Sequence, residues 1–252
     1  MRVAAIYDIH GNLPALEAVL QEIRQEKVDH IVVGGDVLPG PMPREVLDRL
    51  RDLHPPAHFI YGNGEVAVLQ QMAGKQLSAV PQAFRPVIRW TAQQLHPEHQ
   101  QFLSTWPKTL TLEIASLGSV LFCHATPQNE NDIFTRLTPD DRLVQLFEKV
   151  HAAVVVCGHT HMQFDRTIGH TRVVNAGSVG MPFGKPGAHW LLLGPDIHFR
   201  HTAYNLAHAA DRIRSTAYPQ AHDFAARNIL NPPTEQEMLE IFIRAAIPAN
   251  TE

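Results

Sequence analysis

Cysteine is nearly absent from this chain. Cys123 and Cys157 are the only two among 252 residues. That excludes a disulfide-stapled fold and suits a reduced, cytoplasmic setting. Both read as small buried strand residues, a common place for a free thiol. Long apolar runs are missing as well. The run before Asp8 is too short for a secretory signal, and no stretch is long enough to span a membrane. Basic charge is not in excess either: the formal net charge is −4. Long nucleic acid is therefore an unattractive partner, although local basic patches stay open. No internal repeat or low-complexity segment is evident. With 44% apolar and 18% charged residues the chain reads as an ordinary globular protein, long enough to bury a large core.

Histidine, by contrast, is plentiful at 16 residues, and a metal site is one use for it. The stretch Asp8-Ile9-His10-Gly11-Asn12 follows an apolar run, Val3 to Tyr7, and precedes a helical pattern from Leu13. In an extended segment residues i and i+2 point to the same side, so Asp8 and His10 are expected to reach one ion together. Gly11 allows a sharp turn. As plain structure, the same residues would make a turn with Asn12 as a helix cap.

Arg2 to Tyr7 reads as a buried strand, Asn12 to Lys27 as a helix and His30 to Val33 as a second strand. This is the βαβ signature of a parallel pair. Asp36 then ends a strand beside Asp8 and His10, on the edge where such sheets bind ligands. A helix is expected over Arg44 to Leu53 and a strand over Ala57 to Tyr61, which ends in Gly62-Asn63-Gly64-Glu65. Residues 66 to 106 look mostly helical. Strands follow over Thr109 to Ile114 and Ser119 to Cys123, the second ending in His124-Ala125-Thr126-Pro127. Gln128 to Thr138 is a polar, irregular candidate substrate loop. A helix over Pro139 to Val150 leads to a strand, Ala153 to Cys157, which ends in Gly158-His159-Thr160-His161. Strands over Gln163 to Ile168 and Thr171 to Val174 lead to the glycine-rich turn Asn175 to Gly180. Its amides could face an anion, or simply form a tight turn. Two more strands, Trp190 to Leu193 and Ile197 to Thr202, close the β-rich part. From Leu206 the pattern is helical, ending in an amphipathic helix over Glu235 to Ala246.

Polar clusters thus end five segments: Asp8/His10, Asp36, Asn63, His124 and His159/His161. Oxygen and nitrogen donors without a thiolate suit a pair of transition ions. The motifs Asp8-Ile9-His10, Gly35-Asp36, Gly62-Asn63, His124 and Gly158-His159-Thr160-His161, in this order, resemble the calcineurin-like metallophosphoesterase superfamily. Asp8 to Asn12, His124 to Pro127 and Asn175 to Gly180 are similar to its small bacterial and archaeal phosphodiesterase branch. The resemblance covers about residues 1 to 204.

The resemblance implies an α/β fold, a four-layer α-β-β-α metallophosphoesterase sandwich with a C-terminal helical appendage. Residues 1–205 would be the core and 206–252 a helical extension packed on it. It implies that Asp8, His10, Asp36 and His161 hold one metal ion and Asp36, Asn63, His124 and His159 a second, with Asp36 shared. The ions would be divalent or trivalent: Mn, Fe, Zn or Co. Asp36, Asn63 and His124 lie closest to the expected chemistry, hydrolysis of a phosphodiester, phosphomonoester or phosphoanhydride by a hydroxide shared between the ions. Asn12, Gly177 and Ser178 are candidates for touching the phosphate or supporting the ligands. The expected substrate is small and phosphorylated, nucleotide-like or a phosphoprotein. No membrane partner is expected, and a homo-oligomer is open.

One position departs from the family pattern. Many members carry a histidine directly after the asparagine, where this chain has Gly64. That removes the usual general acid, an effect of typically ~10²–10⁴-fold, and leaves a metal-binding scaffold as the alternative to a phosphatase or phosphodiesterase. The complete ligand set favours the enzyme.

Overall fold

The computed structural model describes residues 1–245. Strand β1 (Val3–Ile6) is wholly buried and leads into helix α1 (Leu13–Glu26). Asn12 caps α1 by accepting from the Ala15 amide at 3.2 Å. Strand β2 (His30–Val33), helix α2 (Pro43–Arg51), strand β3 (Ala57–Phe59) and helix α3 (Asn63–Met72) follow. Helices α4 (Arg85–Gln94) and α5 (Pro97–Ser104) precede the hairpin β4 (Thr109–Ile114) and β5 (Gly118–Cys123). Then come α6 (Asp140–Phe147), β6 (Val154–Cys157), β7 (Phe164–Ile168), β8 (Thr171–Asn175), β9 (Ala188–Leu193) and β10 (Ile197–Thr202).

The strands form two five-stranded sheets, ordered β10-β9-β1-β2-β3 and β4-β5-β6-β8-β7. The pairs β1/β2, β2/β3, β5/β6 and β6/β8 are parallel; antiparallel strands β9 and β10 end the first sheet on one side, and β4 and β7 flank the second on both. Side chains alternate across a strand, so β1 feeds two cores. Val3, Ala5 and Tyr7 pack between the sheets against Val120, Phe122, Val156 and Val174. Ala4 and Ile6 face outward against α1 and α2 through Leu16, Val19, Val46 and Leu47. On the far side, Cys123, Val155 and Cys157 pack against Leu143 and Phe147 of α6. Helices, sheet, sheet and helix make the four layers the sequence predicts. Both cysteines are free and buried.

Expected elements are present with ends moved by a few residues. The helix expected over Pro139 to Val150 is shorter, because the Val150 amide closes a turn on the Phe147 carbonyl. Beyond residue 205 lie α7 (Leu206–Arg214), the short α8 (Ala221–Phe224), a π-helical stretch (Ala225–Leu230) and α9 (Glu235–Ala245). Ala209, Ile213, Phe224 and Ile229 belong to the same buried cluster as Leu16 and Trp190, so this part completes the outer layer of the first sheet. Helix α9 packs separately, with Leu239, Met238 and Phe242 against Met162 and Phe183. Ala246 and the remainder of the expected extension lie outside the described residues. Among the described residues, no helix is long and apolar enough to cross a membrane.

Candidate metal centre

The carboxyl ends of β1, β2, β5 and β6 meet at one edge of the two sheets, and Asn63 opens α3 beside them. Asp8, His10, Asp36, His159 and His161 all have left-handed backbone, with φ of 54°, 47°, 49°, 66° and 58°. Asp and His are among the residue types that adopt this conformation most readily outside glycine. The extended geometry expected for Asp8 and His10 is therefore not what aligns them. The chain turns at each residue, and both side chains still reach one point. Holding several such residues costs of order ~1–3 kcal/mol each and marks functional sites.

Two groups result. Asp8, His10 and His161 bring donor atoms within 4.8 Å of one another, and so do Asp36, His124 and His159. In the first, His10 Nε2 lies 3.2 Å from His161 Nε2, and Asp8 Oδ1 lies 3.3 Å from His161 Nε2. In the second, His124 Nε2 lies 3.2 Å from His159 Nδ1 and 3.1 Å from Asn63 Oδ1. Asp36 spans both: Oδ2 is 3.8 Å from His10 Nε2, and Oδ1 is 3.5 Å from His124 Nε2. Asp8, His10, Asp36, His124 and His161 are buried, while Asn63 and His159 are partly open and form the approach from solvent.

The surrounding carbonyls aim the rings. His10 Nδ1 faces the Pro39 carbonyl at 3.3 Å, His124 Nδ1 the Gly34 carbonyl at 3.0 Å and His161 Nδ1 the Met181 carbonyl at 2.8 Å. A carbonyl only accepts, so in the neutral rings Nδ1 carries the proton and Nε2 keeps a lone pair. Two such lone pairs face each other in the first group. Asp8 Oδ1 beside them is buried without a hydrogen-bond partner. A shared cation is the species that satisfies all three, and the oxygen–nitrogen donor set fits one.

Charge at the site is strongly coupled. Burial alone would lower the pKa of His124, but Asp36 and Asp8 outweigh it and raise it to about 10. Burial and the neighbouring His124 lower His159 to about 4. Burial acts to raise the Asp36 and Asp8 carboxyls, and the imidazoles around them hold both below the usual range. Protons and cations compete for the same lone pairs here.

Residues 1–196 match the family profile described as the calcineurin-like phosphoesterase superfamily domain. The chain belongs to this superfamily. The superfamily implies divalent metal ions, and its description names phosphoester chemistry. An uncharacterized protein of Methanocaldococcus jannaschii, MJ0912, is 30% identical over 164 residues, which is 64% of this chain and 63% of that protein. The chain thus spans less than two thirds of that relative's length. The crystal structure of a metallophosphoesterase from Sphaerobacter thermophilus is similar at 26% identity and a TM-score of 0.69, covering 90% of this chain and 98% of that one. Hypothetical protein PH1004 from Pyrococcus horikoshii OT3 shares the fold at 20% identity and a TM-score of 0.76, covering 89% and 97%.

Against this family background three further positions stand out. Of the two roles open to Asn12, Gly177 and Ser178, touching the phosphate or supporting the ligands, their hydrogen bonds fit the second. Asn12 Nδ2 donates to the Gly180 carbonyl at 3.0 Å, the Gly177 amide to Asn175 Oδ1 at 2.9 Å and Ser178 Oγ to the Asp8 carbonyl at 2.7 Å. The Val179 and Gly180 amides donate to the Tyr7 and Asp8 carbonyls, both at 2.9 Å. This turn holds the backbone of the Asp8–Asn12 loop, and a Cβ on Gly180 would come 1.8 Å from the Ile9 carbonyl oxygen.

Glu65 lies in the first turn of α3. It is fully buried and accepts from the Asp36 amide at 2.8 Å, the Gly62 amide at 2.7 Å and the Leu38 amide at 3.0 Å. Burial and the Asp36 charge raise its pKa to about 7. It ties the β2 loop to the start of α3, so the backbones bearing Asp36 and Asn63 are held together. A glutamate three residues after the Gly62 N-cap, the accepting half of a capping box, is the sequence signal that points to it.

Gly64 is a steric requirement. A Cβ there would lie 1.9 Å from the Leu38 carbonyl oxygen, so no side chain fits without moving the β2–α2 loop. On the other flank Phe183 stacks on His161, with centroids 5.3 Å apart and planes at 22°, and Phe242 of α9 packs on Phe183 at 6.0 Å. Arg136, in the loop after His124, pairs with Glu235 of α9 at 2.8 Å.

Proposed function

We infer that this chain is a dinuclear metal-dependent phosphoesterase, acting on a phosphodiester, phosphomonoester or phosphoanhydride of a small nucleotide-like molecule or a phosphoprotein. Asp8, His10 and His161 would hold one ion and Asn63, His124 and His159 the other, with Asp36 serving both. The observation that carries this reading is the Asp36 carboxylate, whose two oxygens face the two groups. Bound there, Mn, Fe, Zn or Co ions would supply the acidity that activates a water and the positive charge that offsets the phosphoryl oxygens.

The chain's own part is positioning. The Pro39, Gly34 and Met181 carbonyls orient three imidazoles so that Nε2 faces inward. The Gly64 amide donates to Asp36 Oδ1 at 2.7 Å and turns the other oxygen toward His10. Burial of Asp8 and Asp36 keeps competing water from the carboxylates. No side chain at position 64 delivers a proton to the departing oxygen. Aryl esters and phosphoanhydrides, which leave with little protonation, are therefore the preferred substrates. Equal chemical-step rates on alkyl and aryl phosphodiesters would refute that preference.

The steric exclusion at Gly64 also supports a second reading, a metal-binding scaffold with little catalysis. Hydrolysis of bis(p-nitrophenyl) phosphate by metal-stripped protein, with and without added Mn²⁺ and beside Asp36→Ala, separates the two. Turnover that needs metal and is lost in the variant supports the enzyme. Two bound ions without turnover of aryl diesters or anhydrides supports the scaffold. Failure to bind any ion sinks both.

A further inference from the structure

His159 and His161 stand two places apart in the chain, yet they serve different donor groups. His161 joins Asp8 and His10, and His159 joins Asp36 and His124. Residues 158–163 lie in no strand or helix, and both histidines have left-handed backbone. The shape of this segment is therefore set by what grips it from outside.

One side chain grips it twice. Asn175 is the last residue of β8 and is buried, beside Cys157 in the β6/β8 register. Its Nδ2 donates to the Gly158 carbonyl at 2.6 Å and to Thr160 Oγ1 at 3.2 Å. The Thr160 amide donates to the same Gly158 carbonyl at 2.8 Å. Thr160 is buried as well. The residue between the two imidazoles is thus tied to β8 while the imidazoles reach the donor groups.

The other end of the same amide acts on the ring of His161. Asn175 Oδ1 accepts from the Gly177 amide at 2.9 Å, which fixes the start of the turn that carries Ser178. Ser178 Oγ accepts from the Met181 amide at 2.8 Å, and the Met181 carbonyl faces His161 Nδ1 at 2.8 Å. His161 is therefore held through its backbone neighbour and through its ring, and both paths pass through Asn175. His159 has an anchor of its own, because its amide donates to Asp8 Oδ2 at 2.9 Å. A carboxamide offers two donor hydrogens and an acceptor oxygen, and here all of them are used inside the protein.

We propose that Asn175 is a positioning residue of the metal centre, which aligns His161 for the ion of the Asp8, His10 and His161 group. It touches neither ion nor substrate and acts through Gly158, Thr160 and Met181. The proposal rests on the metal-binding part of the proposed function and deepens it by naming what fixes one ligand. Metal–nitrogen bonds of about 2 Å tolerate little displacement, and partners that orient a ligand typically carry ~10–100-fold in metal affinity.

The test is calorimetric titration of the metal-stripped full chain with Mn²⁺, beside melting of the metal-free protein. In Asn175→Ala, one ion is expected to bind ~10–100-fold more weakly, with the other within about threefold of native. A cycle with His161→Ala identifies the ion. Once His161 is gone, adding Asn175→Ala should cost less than about twofold further, because its effect passes through that ring. Native affinities in Asn175→Ala, equal losses for both ions, or full additivity with His161→Ala overturn the proposal. A lower melting temperature with native affinities does the same, since it leaves Asn175 a structural role only. If Asn175→Ala fails to fold, the milder pair decides. Thr160→Val removes one of the two donated bonds and should weaken the same ion several-fold, by roughly the worth of one hydrogen bond, while Thr160→Ser keeps the hydroxyl and stays near native. A native affinity in Thr160→Val overturns the proposal. A native chain that binds no Mn²⁺ sinks the metal-centre reading itself, whereas ions bound equally by native and variant sink only the role of Asn175.

Discussion

Two histidine pairs in this molecule have nearly the same geometry and different surroundings. His10 and His161 stand with ring centroids 5.0 Å apart and a 3.2 Å contact between nitrogens. His30 and His58, at the opposite end of the strands, stand 5.1 Å apart, also with a 3.2 Å contact. In the outer pair one ring donates to the other, and the contact is an ordinary hydrogen bond. In the inner pair both Nδ1 atoms face carbonyls, so neither neutral ring has a hydrogen to give across the gap. Asp8 and Asp36 sit beside it. Proximity of imidazoles therefore says little in a chain with 16 histidines. Buried carboxylates and carbonyl-fixed rings distinguish a metal centre from a surface contact.

The comparison can be broken most severely at Asp36. Asp36→Ala removes the carboxylate between the two groups and should leave imidazoles without a shared anion. Metal-dependent turnover is expected to fall by ~100-fold or more, since even outer-shell losses cost ~10–100-fold. Ion content by elemental analysis should fall with it. Retained turnover with full ion content would show that the carboxylate is not shared. Glu65→Gln comes next. One amide oxygen cannot accept all three backbone N–H groups, and its NH₂ would face a donor. Ion affinity is expected to drop by ~10–100-fold, with a stability loss of about 1–3 kcal/mol for the unmet bond. Unchanged affinity would make Glu65 a packing residue only.

Adding an imidazole is a sharper probe than removing one. Gly64→His places a ring where the Leu38 carbonyl already stands. It is expected to destabilise by about 1–3 kcal/mol through overpacking, and to bring no gain in turnover. Faster hydrolysis of alkyl esters would show that the β2–α2 loop yields and that the missing acid can be restored. Phe242→Ala loosens the stack that holds His161 from the side of α9. The ring is half-buried, so a loss of about 1–2 kcal/mol in melting experiments is expected. A shift in ion affinity without a shift in melting would assign it to positioning instead.

The smallest effect is expected at the outer pair. Burial and the charge of His30 lower the pKa of His58 below its ordinary 6.5. Protonation therefore favours the unfolded chain. Stability is undiminished above 6.5 and declines as pH falls below it toward the folded pKa. His58→Gln should remove part of that acid sensitivity while leaving ion content and turnover unchanged. Any loss of bound metal in this variant would contradict the distinction between the two pairs.

The order of strand-end motifs was legible in the sequence, because each lies where a short apolar run stops. The βαβ pattern placed Asp36 on the same edge as Asp8 and His10, while His124 and His159 could be placed only at strand ends. The two roles open at Asn12, Gly177 and Ser178 could not be separated from the sequence. A glycine-rich turn with spare amides reads like an anion cradle, and only the packed structure shows that Tyr7 and Asp8 take the Val179, Gly180 and Ser178 donors and Asn175 the Gly177 amide. Glu65 was masked for a related reason. Its spacing marks a helix cap, but its bonds to Asp36 and Leu38 cross from another strand's loop.

What the sequence determined by itself is local: alternation and helical period, the turns at the strand ends, and the kinds of donor atom they carry. These follow from steric and solvation rules acting over a few residues. The tertiary structure alone decided which donors share a point. His10 and His161 are separated by 151 residues, and they meet because β1 and β6 lie in facing sheets that share an edge. It also decided that position 64 admits only hydrogen. Those are questions of occupied volume and charge between segments, set by how the layers pack.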